Sequence, residues 1–136
     1  MKIFLVLVAL ISSLMAADAE SAAMELDYYE NFDKALTVAK KENKLLMLVM
    51  VQDPCPFCDK LIENTLSDAK VKAELKDVVC VVIDKTGKYP EAFKTSFVPR
   101  TYFLDSKKEK IVAEALGYAK RDHFLMTIDE AKESQK

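Results

Sequence analysis

The chain has 136 residues, 51% of them hydrophobic, with 20 basic and 22 acidic side chains and a net charge of −2. The two signs are interspersed and no basic block stands out, which argues against a nucleic-acid footprint. The length suits one compact domain and not two, and there is no repeat or low-complexity linker to divide it.

The first residues read as an export signal: Lys2, an apolar core from Ile3 to Leu14, then Ala17-Asp18-Ala19, a small-x-small cleavage site. The apolar run falls short of the roughly 20 residues a membrane span needs. An uncleaved N-terminal anchor is the alternative. The predicted organisation is therefore a signal peptide over 1–19 and a single domain over 20–136. Export to a periplasm or outside the cell exposes thiols to an oxidising compartment where they pair. Three cysteines leave one over.

Tyr28, Phe32, Leu36 and Ala39 recur at helical spacing and predict a helix ending near Asn43. Leu45 to Val51 is apolar at every position, as in a strand covered on both faces of a parallel sheet. Asp53-Pro54-Cys55-Pro56-Phe57-Cys58 follows and opens a segment with helical apolar spacing, Phe57, Leu61, Ile62 and Leu66, interrupted near Asn64-Thr65. Ser67 is a candidate cap for a short helix carrying Val71 and Leu75. Val78 to Ile83 is a second apolar strand, and the helical crossover between the two strands implies a βαβ unit.

After the Lys85 to Pro90 loop, a helical turn over Glu91 to Lys94 leads into Ser96-Phe97-Val98-Pro99-Arg100. Thr101 to Leu104 and Lys110 to Leu116 predict an antiparallel pair joined by a polar turn. Gly117 ends that pair, and Phe124, Leu125, Ile128 and Ala131 place a last helix on the sheet, with His123 on its surface.

The CxxC carries the chemistry. At a strand-to-helix junction the first thiol, Cys55, sits at a helix N-terminus, where unpaired N–H groups and the helix dipole stabilise a thiolate. Cys58 lies one turn on and can attack a mixed disulfide formed on Cys55. Two other readings remain open at this point. Three cysteines and one histidine suffice on paper for a zinc centre, although Cys80 is inside a strand and His123 is isolated. The pair could also be a purely structural disulfide.

The element order resembles the thioredoxin-like fold, an α/β domain with a central mixed sheet flanked by helices, and in particular the small exported members, here with a CPFC motif. Thr65-Leu66-Ser67-Asp68 with Val71 looks like their post-CxxC helix, and Val98-Pro99-Arg100-Thr101-Tyr102-Phe103-Leu104-Asp105 like their cis-proline strand. The resemblance spans roughly Phe32 to Ala131. It implies that Pro99 is cis and faces the CxxC, and that Val98 and Pro99 form the edge on which a substrate peptide docks.

Three departures accompany it. Pro54 replaces the usual tryptophan, Val49 stands where thioredoxins carry a buried acid, and Cys80 stands where they carry a buried lysine. Pro56-Phe57 resembles the glutaredoxin dipeptide, but the Gly-Gly of glutaredoxins is missing, so glutathione is not an expected partner.

The expected function is that of an exported thiol-disulfide oxidoreductase. Cys55 is its nucleophile, Cys58 its resolving thiol, and Val98 and Pro99 its substrate contacts. No cofactor or metal is expected. The expected partners are cysteine-containing proteins and a separate redox partner, with no nucleic acid and no membrane span after signal cleavage, and the protein acts as a monomer. The alternatives are a periplasmic copper or zinc carrier on the same fold, and a binding module with vestigial thiols.

Overall fold

The structure is a computed structural model and describes residues 18–136. Most of the predicted leader lies outside these residues. The described part begins with α1, Ala19–Leu26, whose first turn contains the predicted cleavage point. Asp18 caps it, accepting the Ser21 N–H at 2.7 Å. Nothing in the sequence reading anticipated this helix. Its stripe of Ala22, Ala23 and Leu26 is short and small, yet all three are buried.

The helix predicted from Tyr28 starts later, as α2, Phe32–Glu42. Asn31 sets the start by accepting the Lys34 N–H at 2.8 Å, and Asn43 ends it in the left-handed conformation. Tyr28 and Tyr29 instead lie in the link between the helices.

The sheet contains β1 (Leu46–Val51), β2 (Val79–Asp84), β3 (Arg100–Asp105) and β4 (Lys110–Leu116), in the order β2-β1-β3-β4. β1 and β2 are parallel, as the two apolar runs predicted, and the β1–β3 and β3–β4 pairs are antiparallel. Tyr29 adds a bridge to the outer edge of β2, donating to the Cys80 carbonyl at 2.9 Å and accepting from the Val82 N–H at 3.0 Å. That covers backbone groups an edge strand would otherwise leave open.

Between β1 and β2 run α3 (Pro56–Lys60), a π-helical continuation over Leu61–Leu66, and α4 (Ala69–Glu74). The predicted break at Asn64-Thr65 is absent: the helix widens to π geometry and runs on to Ser67. The Thr65 hydroxyl donates to the Ala119 carbonyl at 2.7 Å, tying this widened turn to the chain after β4. Asp68, and not Ser67, caps α4, accepting from Lys70 and Val71, while the Ser67 hydroxyl bonds back to the Ile62 carbonyl. A carboxylate two residues before the Lys70 N–H and three before the Val71 N–H reaches both donors of the first turn, which a hydroxyl one residue earlier does not.

A 3₁₀ turn, Glu91–Phe93, precedes β3, and α5, Arg121–Glu133, closes the chain with His123 exposed, as predicted.

Alternation along the strands divides the interior into two cores. Leu46, Leu48, Met50, Val79, Val81, Tyr102 and Leu104 pack against Phe32, Ala35 and Ala39 of α2 and against Phe93. Met47, Val49, Val51, Cys80, Val82, Phe103, Ala113 and Ala115 face the other way, toward α1, the CxxC helix, α4 and α5. The CxxC belongs to this second core.

Candidate active site

β1 ends at Val51, and five residues later the chain enters α3 with Pro56 at its first helical position, where a missing N–H costs nothing. Cys55 is the N-cap. Its backbone is extended, its carbonyl accepts the Asp59 N–H at 3.1 Å, and its sulfur accepts the Cys58 N–H at 3.1 Å. Cys55 and Cys58 form a disulfide with their Cα atoms 5.2 Å apart. Only Cys55 reaches the surface: it is 8% exposed, against 0% for Cys58. The pair therefore sets one slightly exposed cysteine at a helix start and one fully buried cysteine a turn behind it.

Beside this loop lies the entry to β3. Arg100 pairs with Met50, so Pro99 and Val98 continue alongside Val51 and Gln52, next to the CxxC loop. The Val98–Pro99 peptide is cis, as is Asp53–Pro54, which the sequence did not suggest. Pro99 is buried and its carbonyl accepts the Gly117 N–H at 2.8 Å. Val98 is half-buried, and its own N–H and carbonyl enter no backbone hydrogen bond among the described residues. The four site residues predicted from sequence thus lie together at the C-terminal end of β1.

Two aromatic rings flank the site. Phe57 is 58% exposed with the Lys60 ammonium 5.5 Å from its ring centroid, and Phe97 is 67% exposed. Thr95 holds the Phe97 backbone at both ends, accepting its N–H and donating to its carbonyl. Sequence reasoning passed over Phe97, although an aromatic residue directly before Val98-Pro99 was the available signal. Arg100 was also missed. Its guanidinium lies over the Tyr102 ring, 5.1 Å from the centroid, and bonds Glu114 at 3.1 Å.

Beneath the disulfide the environment is apolar. Val49 is fully buried in the same cluster as both cysteines, so no carboxylate occupies that position. Cys80 is free and buried and does not pair with Cys58. It sits beside Met47, four residues before the end of β1, or about 13 Å back along the sheet at ~3.3 Å per residue. Its thiol donates weakly to the Val78 carbonyl at 3.6 Å, and burial pushes its pKa up to about 12. The Tyr28 phenol faces it, held above its usual range first by burial and then by the thiol. The idea of a three-thiolate site fails here: no cluster of three metal-ligating side chains exists among the described residues.

A CxxC disulfide at a strand-to-helix junction, one cysteine slightly exposed and one fully buried, beside a cis X-Pro edge, is the arrangement of a thioredoxin-like fold. The chain belongs to the thioredoxin-like family, whose model matches residues 27–106.

It is 29% identical over 105 residues to the thiol:disulfide interchange protein DsbD of Ralstonia nicotianae, an alignment covering 73% of this chain and 17% of that protein. The chain thus spans about one-sixth of the length of this curated relative. A thioredoxin from Thermus thermophilus has a similar structure, with a TM-score of 0.68 and 21% identity over 77% of this chain and 86% of its own. The periplasmic thioredoxin SoxS from Paracoccus pantotrophus is also similar, with a TM-score of 0.57 and 14% identity over 68% of this chain and 100% of its own.

Proposed function

We propose that this protein is an exported thiol-disulfide oxidoreductase that exchanges disulfides with the cysteines of other proteins, working as a monomer in the periplasm or outside the cell. The observation that carries the reading is the asymmetry of the pair: Cys55, the more exposed of the two, has a sulfur that accepts a helix N–H, and Cys58 is fully buried.

In the reducing direction the Cys55 thiolate attacks one sulfur of a client disulfide. A bond forms from Cys55 to that sulfur, the client bond breaks, and the other client sulfur leaves as a thiolate that takes a proton from water. Cys58, deprotonated, then attacks Cys55. The Cys55–Cys58 disulfide forms and the second client thiolate departs. Two electrons pass to the client, two client thiols result, and the protein ends in the disulfide form of the structure. The oxidising direction is the same sequence reversed.

Val98 and Pro99 serve as the docking edge: the Val98 N–H and carbonyl are free to pair with an extended client backbone, and Pro99 has no N–H to compete. A separate redox protein resets the pair. Export is supported by the Lys2 charge, the apolar run and the small-x-small site, and by the likeness to a periplasmic thioredoxin. None of the described helices is long and apolar enough to cross a membrane.

The test is reduction of insulin disulfides by the purified protein with dithiothreitol as electron source. Turnover that disappears in Cys55→Ala supports the reading, and a rate no greater than dithiothreitol alone overturns it. Mass spectrometry of the native protein tests export through the loss of the leader.

A further inference from the structure

β3 carries an oddity on the face that bears the CxxC helix. Thr101 is 1% exposed and its hydroxyl has no hydrogen-bond partner. It stands directly opposite Val49 on β1 and Ala115 on β4. Directly opposed residues of antiparallel strands hold their Cβ atoms about 4.5–5.5 Å apart. Val49 and Ala115 belong to the buried cluster that encloses Cys58, Leu61 and Ile62, and Phe103, two residues along β3, faces into it as well. The other buried threonines are satisfied, Thr65 by the Ala119 carbonyl and Thr127 by the His123 carbonyl. An unpaired hydroxyl in an apolar core is less stable than a valine of the same shape, and its presence calls for a reason.

We propose that the Thr101 hydroxyl serves the Cys58 sulfur: once the disulfide is reduced, it donates a hydrogen bond to the Cys58 thiolate and holds it in the form that resolves a mixed disulfide. In the disulfide form the Thr101 hydroxyl donates to neither sulfur; a thiolate is a far stronger acceptor than a disulfide sulfur, so the Cys58 sulfur released on reduction supplies the partner that the oxidised structure lacks. The inference rests on the reading of Cys55 and Cys58 as an exchanging pair.

Few other groups compete for this role. The titratable members of the cluster around Cys58 are Cys55, Cys80 and the partly buried Tyr28 and Tyr118. From the elements packed on it, α5 contributes Phe124, Ile128 and Ala131, and β4 contributes Ala113 and Ala115. Asp53 and Lys60 are exposed and Asp59 half-buried, while Arg100 and Glu114 lie on the opposite face of the sheet with Tyr102.

The test isolates Cys58 in a Cys55→Ala background, with Cys80→Ala added, and follows thiolate absorbance against pH. Thr101→Val moves the Cys58 titration midpoint up by about one pH unit, a tenfold loss of thiolate at fixed pH. Thr101→Ala does the same, and Thr101→Ser, which keeps the hydroxyl, stays within about twofold of the parent in thiolate fraction. In the protein with its natural cysteines, Thr101→Val slows resolution of a trapped mixed disulfide by about tenfold near neutral pH, for the same loss of thiolate. An unchanged midpoint in Thr101→Val overturns the proposal. So does a Thr101→Ser midpoint that moves as far as the valine variant's, since packing would then be the cause. Absence of insulin reduction by the natural protein bears on the proposed function alone, because the titration needs no turnover.

Discussion

The Cys58 backbone N–H points at the Cys55 sulfur from 3.1 Å, so the first turn of the helix aims a donor at the sulfur of the more exposed cysteine. The same turn encloses Cys58. One short stretch of backbone thereby gives two chemically equal side chains different surroundings: a helix N–H donor at the first sulfur, and full enclosure at the second.

That difference predicts the trapping behaviour of single-cysteine variants. Cys58→Ser accumulates mixed disulfides between Cys55 and client proteins, while Cys55→Ser accumulates few. Alkylation of the reduced protein below neutral pH modifies Cys55 first. Equal trapping by the two variants, seen on non-reducing gels, contradicts the assignment.

Val49 predicts a pH-dependent second step. With no carboxylate beneath Cys58, resolution of the mixed disulfide accelerates as pH rises toward the ordinary thiol pKa of about 8.5. Val49→Asp speeds the step near neutral pH while lowering stability by about 2–4 kcal/mol, since the new carboxyl is buried among apolar side chains with only the Thr101 hydroxyl opposite it. Stopped-flow resolution rates across pH check the first claim and denaturant unfolding the second. A flat pH profile in the natural protein contradicts it.

Cys80 is predicted to affect stability and not exchange. Its pKa rises on folding, to about 12, so the folded state binds this proton more tightly than the unfolded chain does. The resulting stabilisation is complete below the unfolded thiol value and is lost as pH climbs toward 12. Cys80→Val therefore flattens the alkaline fall in stability and leaves insulin reduction within about twofold of the parent, as a volume-conserving swap far from the site should. A change in the potential of the Cys55–Cys58 couple in Cys80→Val would count against this.

Phe97 predicts client selectivity. Thr95 fixes its backbone while the ring stands 67% exposed next to Val98, so it contacts a docked protein and does not shape the thiol chemistry. Phe97→Ser raises KM for a protein client about fivefold, equivalent to ~1 kcal/mol, with kcat unchanged. With a small aromatic disulfide as substrate the two proteins behave alike.

Gly117 has φ +75°, with nothing within 4 Å of where a Cβ would stand. Gly117→Ala therefore meets backbone strain and no clash, and lowers stability by about 1 kcal/mol, or roughly 3–5 °C in Tm. Thermal unfolding measures it directly.

The sequence alone determined the alternating plan of the domain and singled out the CxxC whose two cysteines form the disulfide. Leu45–Val51 and Val78–Ile83 are apolar at every position, so they had to be strands covered on both faces, and a CxxC immediately after the first such strand had to open a helix. Val98-Pro99 was legible through its resemblance to the cis-proline strand of thioredoxin-like proteins. Elements held by local side chains were read less well: Asn31 and Asp68 shifted two helix starts by a few residues, and α1 escaped notice because three small or medium apolar residues become a core contact only when β2 lies beneath them.

What the tertiary structure alone decided was who faces whom. Strand register, which no local pattern specifies, put Cys80 beside Met47 and away from the end of β1 that leads into the CxxC, and put Thr101 opposite Val49 on the face of the sheet that carries the CxxC helix. A threonine at a strand position reads as strand propensity in the sequence. It becomes a polar group without a partner only once the neighbouring strands and the CxxC helix have removed water from around it.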